Sequence, residues 1–94
     1  MGAVVTWVSG RVAAERQSEV SVPYAEAIAA GPPPGIEQTM LVRDGADLSI
    51  VTVWARREDL DAMIASNEEP LARRLIRQAG GMPSVRIFEV VART

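Results

Sequence analysis

The stretch Ile36-Glu37-Gln38-Thr39-Met40-Leu41-Val42-Arg43-Asp44-Gly45-Ala46-Asp47-Leu48-Ser49-Ile50-Val51-Thr52-Val53-Trp54-Ala55 decides the fold. Its two halves are rich in β-branched and apolar residues. Between them, Asp44-Gly45-Ala46-Asp47 is the short, glycine-bearing turn that joins antiparallel strands. In the first half, Ile36, Met40 and Val42 alternate with Glu37, Thr39 and Arg43. In the second, Leu48, Ile50, Thr52 and Trp54 share one face, and Val51 and Val53 the other. Both faces of the second strand are largely apolar, so it is expected to be covered on two sides.

Working outward, Ala3 to Ala13 is rich in Val, Thr and Trp, which suit a pleated surface. Val4, Thr6, Val8 and Val12 would lie on one face, and Val5, Trp7, Ser9 and Arg11 on the other. Gly10 marks a bulge or a close backbone approach. From about Arg16 to Ala30 the period becomes helical, with Val20, Tyr24, Ala27 and Ile28 on one side. Pro23 removes a backbone donor, so the helix is expected either to kink there or to begin its regular part near Val22. Gly31 stops it before Pro32-Pro33-Pro34-Gly35.

Downstream of the hairpin, Glu58 to Ala65 reads as a helix with Leu60, Met63 and Ile64 as its apolar stripe. Ser66 and Glu69 have the spacing of a capping box opening another helix through Leu71, Leu75, Ile76 and Ala79. Gly80-Gly81 ends it. Ser84 to Ala92 is a last strand, with Val85, Ile87 and Val91 opposite Phe88 and Val90. The order strand, helix, strand, strand, helix, strand predicts an α+β, ferredoxin-like βαββαβ fold with an antiparallel sheet. The 94 residues accommodate one domain, 1–94. A chain this small with 48% hydrophobic residues is expected to complete its core by pairing with itself as a homodimer.

Composition removes several chemistries. There is no cysteine and no histidine, so there is no thiolate nucleophile and no imidazole base or metal ligand. The carboxylates Glu58, Asp59 and Asp61 suit the first turn of a helix and lack metal-ligand spacing. No metal or cofactor is therefore expected. The net charge of −2 gives no basic field for nucleic acid. The single Phe and single Tyr do not supply the base-stacking aromatics of an RNA-recognition domain, which shares the βαββαβ order. No apolar run reaches the roughly 20 residues of a membrane span. Met1 to Trp7 has no basic leader segment, so a cytoplasmic protein without membrane partners is the expectation.

One stretch resembles a known family. Pro34-Gly35-Ile36 opening a strand, Leu41-Val42-Arg43-Asp44 closing it, Ile50-Val51-Thr52-Val53-Trp54, and Glu58-Asp59-Leu60-Asp61-Ala62-Met63 are similar to the antibiotic-biosynthesis-monooxygenase group. The resemblance implies two sheets packed face to face as a dimeric α/β barrel, with a pocket between each sheet and its helices. It also implies cofactor-independent oxidation of an aromatic or polycyclic small molecule, or ligand binding without turnover on the same scaffold. In the haem-degrading branch of that group a histidine follows the tryptophan, where this chain has Met63 and Ile64. In the quinone-forming branch an asparagine precedes the tryptophan and a tyrosine follows it; Ile50 and Leu60 stand in those places. Of the family's functional residues, Trp54 alone carries over.

The resemblance makes Trp54 the catalytic candidate, its indole N–H aimed at a bound carbonyl or at dioxygen; the plainer account is a core aromatic with a hydrogen-bonded N–H. Substrate-contacting candidates are Tyr24, Trp7, Met63 and Arg86. Tyr24 offers a hydroxyl from the apolar side of the first helix, and Trp7 suits a pocket or a dimer interface equally. Arg86, between Val85 and Ile87, needs a partner, either Glu37, Glu89 or an anionic ligand. Arg73, Arg74 and Arg77, downstream of Glu68 and Glu69, read as a solvated helix face.

Overall fold

The computed structural model describes residues 2–66 and 69–93; Met1 and Glu68 of the readings above lie outside them. Four strands and three helices follow in the order β1 (Val4–Arg11), α1 (Ser18–Ala30), β2 (Ile36–Asp44), β3 (Asp47–Trp54), α2 (Arg57–Ala65), α3 (Leu71–Gln78) and β4 (Ser84–Glu89). A single 3-10 turn, Ala14–Arg16, leads into α1. The strands form one sheet in the order β2-β3-β1-β4, with every neighbouring pair antiparallel. This is the expected ferredoxin-like α+β fold.

The helices cover one face of the sheet. Val4, Thr6, Val8 and Val12 from the first strand region and Leu48, Ile50, Thr52 and Trp54 from β3 are all buried under them. Two clusters result. Val8, Val12, Leu48 and Ile50 pack with Val20 of α1 and with Leu75, Ile76 and Ala79 of the α3 region. Val4, Trp54 and Leu60 of α2 form the second, with Ile36 and Met63 against it. The gap between the clusters is where the site lies.

The hairpin turns on Gly45 and Ala46, with Asp44 opposite Asp47 and Gly45 in the left-handed region at φ 60°. A buried glutamine fastens this turn to the rest of the fold. The Gln17 amide donates to the carbonyls of Val12 (3.1 Å) and Gly45 (2.9 Å), and Arg43 donates to its carbonyl oxygen (3.3 Å). The sequence reading did not single it out, since nothing in its neighbours distinguishes it from a surface glutamine.

Four sequence expectations are corrected. α1 is continuous from Ser18 to Ala30 with Pro23 inside it, which overturns the alternative of a start near Val22. The proline falls early in the helix and loses one hydrogen bond, while Val20 one turn earlier is fully buried and holds the first turn in place. Ser66 does not open α3. It ends α2, its hydroxyl donating to the Met63 carbonyl at 2.7 Å, and α3 begins after Pro70. β4 stops at Glu89, and Val91 lies beyond it, 93% exposed. Finally, a bulge between Ile36 and Gln38 shifts the parity of β2. Ile36 faces the helices, but beyond the bulge Thr39 and Leu41 face them, whereas Met40 and Val42, expected to share the face of Ile36, lie on the outer face.

Gly10 marks a close approach. A Cβ there would stand 2.6 Å from Cγ2 of Ile76 and 3.2 Å from the Met82 carbonyl oxygen. Ile76 is fully buried, and its Cγ2 sits next to the backbone, so it cannot swing away. Gly10→Ala is expected to destabilise the fold by about 1–3 kcal/mol through overpacking, read as a lower denaturation midpoint with an unchanged m-value.

Candidate functional site

A cavity of about 660 Å³ opens between the sheet and the helices, within the size range of small-molecule sites. Its floor is the inner sheet face at Thr6, Thr39, Ile50, Thr52 and Trp54. Tyr24 and Ile28 of α1 form one wall, and Leu60 and Met63 of α2 another. Val85 and Ile87 of β4 close one side, while Glu69 and Arg73 stand at the α3 end. The lining is mostly apolar because alternate residues of β1 and β3 point inward as Val, Ile and Trp.

The floor nevertheless carries a polar line. Thr39, Thr52 and Thr6 are directly opposite one another across β2, β3 and β1. The Tyr24 hydroxyl is hydrogen-bonded to that of Thr39 (2.8 Å), and Thr39 in turn to Thr52 (3.1 Å). On the other side of the row, the Trp54 indole N–H donates to Oγ1 of Thr6 (3.2 Å). Three strands and one helix thus contribute to a series of neutral hydroxyls. None carries a formal charge, which fits their burial, since an uncompensated charge there would be far more costly than a hydroxyl.

The candidates from the sequence divide by sheet face. Trp54, Tyr24 and Met63 line the cavity together. Trp54 is 3% exposed, and its N–H is held by Thr6 rather than free for a ligand. Trp7 and Arg86 do not reach the cavity. They are cross-strand partners on the outer face, because Trp7 differs by one residue in parity from Thr6, and Arg86 likewise from Ile87. Arg86 does not pair with Glu37 or Glu89. Its guanidinium lies over the Phe88 ring at 4.8 Å from the centroid, and Glu37 is engaged by Arg93 at 3.0 Å.

Three hydroxyl residues of the site were missed in the sequence reading. Thr6 shares a face with Val4 and Val8, and Thr52 with Ile50 and Trp54; a threonine recurring on each such apolar face is the sequence signal for them. Thr39 gave none, because a strict alternation places it on the outside and only the bulge at Glu37 turns it in.

Among the described residues, no charged side chain is buried. Arg77 Nε donates to Glu69 Oε2 at 3.0 Å, and this bond holds the Glu69 carboxyl below its ordinary range and raises the Arg77 guanidinium. Asp59 and Asp61 of α2 pair with Arg56 (3.1 Å) and Arg57 (3.2 Å). Among the described residues, no group of three or more His, Cys, Asp or Glu side chains is placed to hold a metal ion, and no helix is long and apolar enough to cross a membrane.

Thr39 is the middle of the hydroxyl series, so its loss has a larger effect than loss of an end. Thr39→Val is expected to cost about 1–3 kcal/mol, because it strands the Tyr24 and Thr52 hydroxyls together, while Tyr24→Phe costs about 0.5–1.5 kcal/mol. Urea denaturation of the two variants side by side checks the order.

No protein-family model matches the chain, and no curated protein is significantly similar to it in sequence. Solved structures are similar in fold. A protein of unknown function from Nitrosomonas europaea superposes with a TM-score of 0.74 at 15% identity, covering 100% of this chain and 94% of that one. A protein from Deinococcus radiodurans, assigned by name only to the antibiotic biosynthesis monooxygenases, gives 0.74 at 12% identity over 97% and 95% of the two chains. SnoaB, a cofactor-independent oxygenase from Streptomyces nogalater, gives 0.71 at 15% identity over 99% and 97%. The chain therefore has the ferredoxin-like fold shared by structures named as antibiotic biosynthesis monooxygenases.

Proposed function

We propose that the cavity receives a flat, hydrophobic aromatic molecule and that the protein oxidises it as a cofactor-independent monooxygenase. The observation that carries this reading is the cavity itself: about 660 Å³, apolar, floored by Trp54 and neutral hydroxyls. The fold it shares with an oxygenase that needs no cofactor supports it.

The chemistry asks little of the protein. An anthrone-type substrate loses a proton from its activated methylene to become an electron-rich anion. That anion transfers electrons to dioxygen directly. One oxygen atom becomes the new carbonyl oxygen, the other leaves as water with the two methylene hydrogens, and the substrate supplies all the electrons. The chain contributes exclusion of water by the apolar walls, orientation of the ring system beside Trp54, and hydrogen-bond donors for the substrate oxygen. Oxygen uptake by the purified protein, with anthrones, hydroquinones and naphthols, is the test. Uptake proportional to protein is expected, falling at least ten-fold in Trp54→Ala. Undiminished uptake in Trp54→Phe would remove the indole N–H, though not the ring, from the chemistry.

One observation favours a second reading, a binding module without turnover: the Trp54 N–H is already occupied by Thr6. That reading predicts saturable binding of the same aromatics with no oxygen consumed, and product accumulation would end it.

The working unit on either reading is a homodimer. The outer sheet face carries Val5, Trp7, Met40, Val51, Val53 and Phe88, and Trp7, Met40 and Phe88 are each more than a third exposed in one chain. Covering this face with a second copy would complete a two-sheet barrel and remove that apolar area from water. Sedimentation at micromolar concentration is expected to give a dimer. Val53→Asp, which puts a charge at the centre of that face, is expected to give monomers.

A further inference from the structure

We propose that the Thr6 and Thr52 hydroxyls act as a pair, donating two hydrogen bonds to one carbonyl-type oxygen of the ligand. The proposal rests on the reading of the cavity as an aromatic-ligand site and assigns the polar contact within it. It follows from counting protons. Tyr24, Thr39, Thr52, Thr6 and Trp54 bring five donor hydrogens to the floor, and three hydrogen bonds join them. Each bond uses one proton, so two remain.

Their positions follow from the connectivity. Thr6 accepts from Trp54, so its own proton is free of that bond, and among the described residues no acceptor takes it. The Tyr24–Thr39–Thr52 series has three protons for two bonds and leaves one, at either end or, where Thr39 accepts from both sides, on Thr39. Run inward from Tyr24, the series leaves the Thr52 proton on the floor; run outward, it leaves that of Tyr24 at the wall. Thr6 and Thr52 are direct cross-strand partners, which places their Cβ atoms about 4.5–5.5 Å apart. Two hydroxyls at that spacing on one sheet face can reach a single oxygen. An acceptor lodged between them selects the inward run, because that run alone of the three arrangements adds a hydrogen bond from Thr52.

The consequence is a specificity rule. Two neutral donors converge, so the site favours an oxygen with two available lone pairs and no proton to place. A carbonyl meets that condition, and a hydrocarbon of the same shape leaves both hydroxyls without an acceptor. Trp54 then acts as a positioning residue: its N–H fixes the Thr6 hydroxyl so that the remaining proton faces the cavity.

The test uses 9-fluorenone and fluorene, which differ at one carbon in carrying C=O or CH₂. The protein is expected to bind fluorenone about ten-fold or more tightly than fluorene by fluorescence titration, the scale of two neutral hydrogen bonds. The carbonyl stretch of bound fluorenone should lie below its value in hydrocarbon solvent. Thr52→Val should cut the ratio to about three-fold, the share of the one remaining donor, and raise the stretch, while Thr52→Ser keeps both at the wild-type values. Equal affinities in the wild-type protein, or an unchanged stretch in Thr52→Val, would overturn the donor pair and leave the cavity reading standing. Binding of neither compound would remove both.

Discussion

Strand β3 is the member on which the rest of the molecule depends. It lies between β1 and β2, and its side chains alternate between two apolar environments. Leu48, Ile50, Thr52 and Trp54 are buried under the helices, while Val51 and Val53 face the outer side. A slip of one residue would exchange these sets and put Trp54 and Ile50 in water. The tight Gly45-Ala46 turn and the Gln17 clamp on its carbonyl prevent that slip from one end, and Trp54 packing on Val4 and Leu60 prevents it from the other. The register of the site is set by the same contacts that set the register of the core.

Against that fixed strand, β2 is free to differ. Its bulge after Ile36 inserts one residue before the pairing resumes at Gln38 with Val53. Ile36 keeps its place beside Trp54, and the remainder of the strand is turned over. Two things change together. Thr39 comes inward to join Tyr24 and Thr52, and Met40 and Val42 go outward to extend the apolar outer face. One extra residue thus supplies the middle of the polar series and enlarges the surface available to a second copy.

The polar series also explains why an apolar cavity tolerates so many heteroatoms. Hydroxyls can be donor and acceptor at once, so a row of them on adjacent strands satisfies itself internally, and no buried side-chain nitrogen or oxygen among the described residues lacks a partner. Charged groups could not be arranged this way without a counterion. The arginines and carboxylates accordingly sit outside, in pairs such as Arg77 with Glu69 and Arg57 with Asp61. Such exposed pairs add little to stability.

What the amino-acid sequence determined by itself was the number, type and order of the elements. Alternation in Leu48–Trp54 and Val4–Val8, helical spacing from Val20 to Ala27, and the glycines at 31, 45 and 80 were enough for the element order and the ferredoxin-like class. These signals are local, because a strand or helix shows its buried face through spacing alone. Trp54, Tyr24 and Met63 were nominated one by one, Trp54 through the resemblance, and only the fold brings them to one cavity. The tertiary structure decided what hangs on single residues meeting across the fold. Whether Pro23 broke α1, whether Ser66 closed one helix or opened the next, and which way Thr39 pointed each turned on a balance of about one hydrogen bond, settled by distant packing. Trp7 and Arg86 went to the outer face by the parity of the strands beside them, and the Trp54 N–H went to Thr6, 48 residues away in sequence. No local pattern records a partner at that distance, since it exists only once β1 and β3 lie side by side.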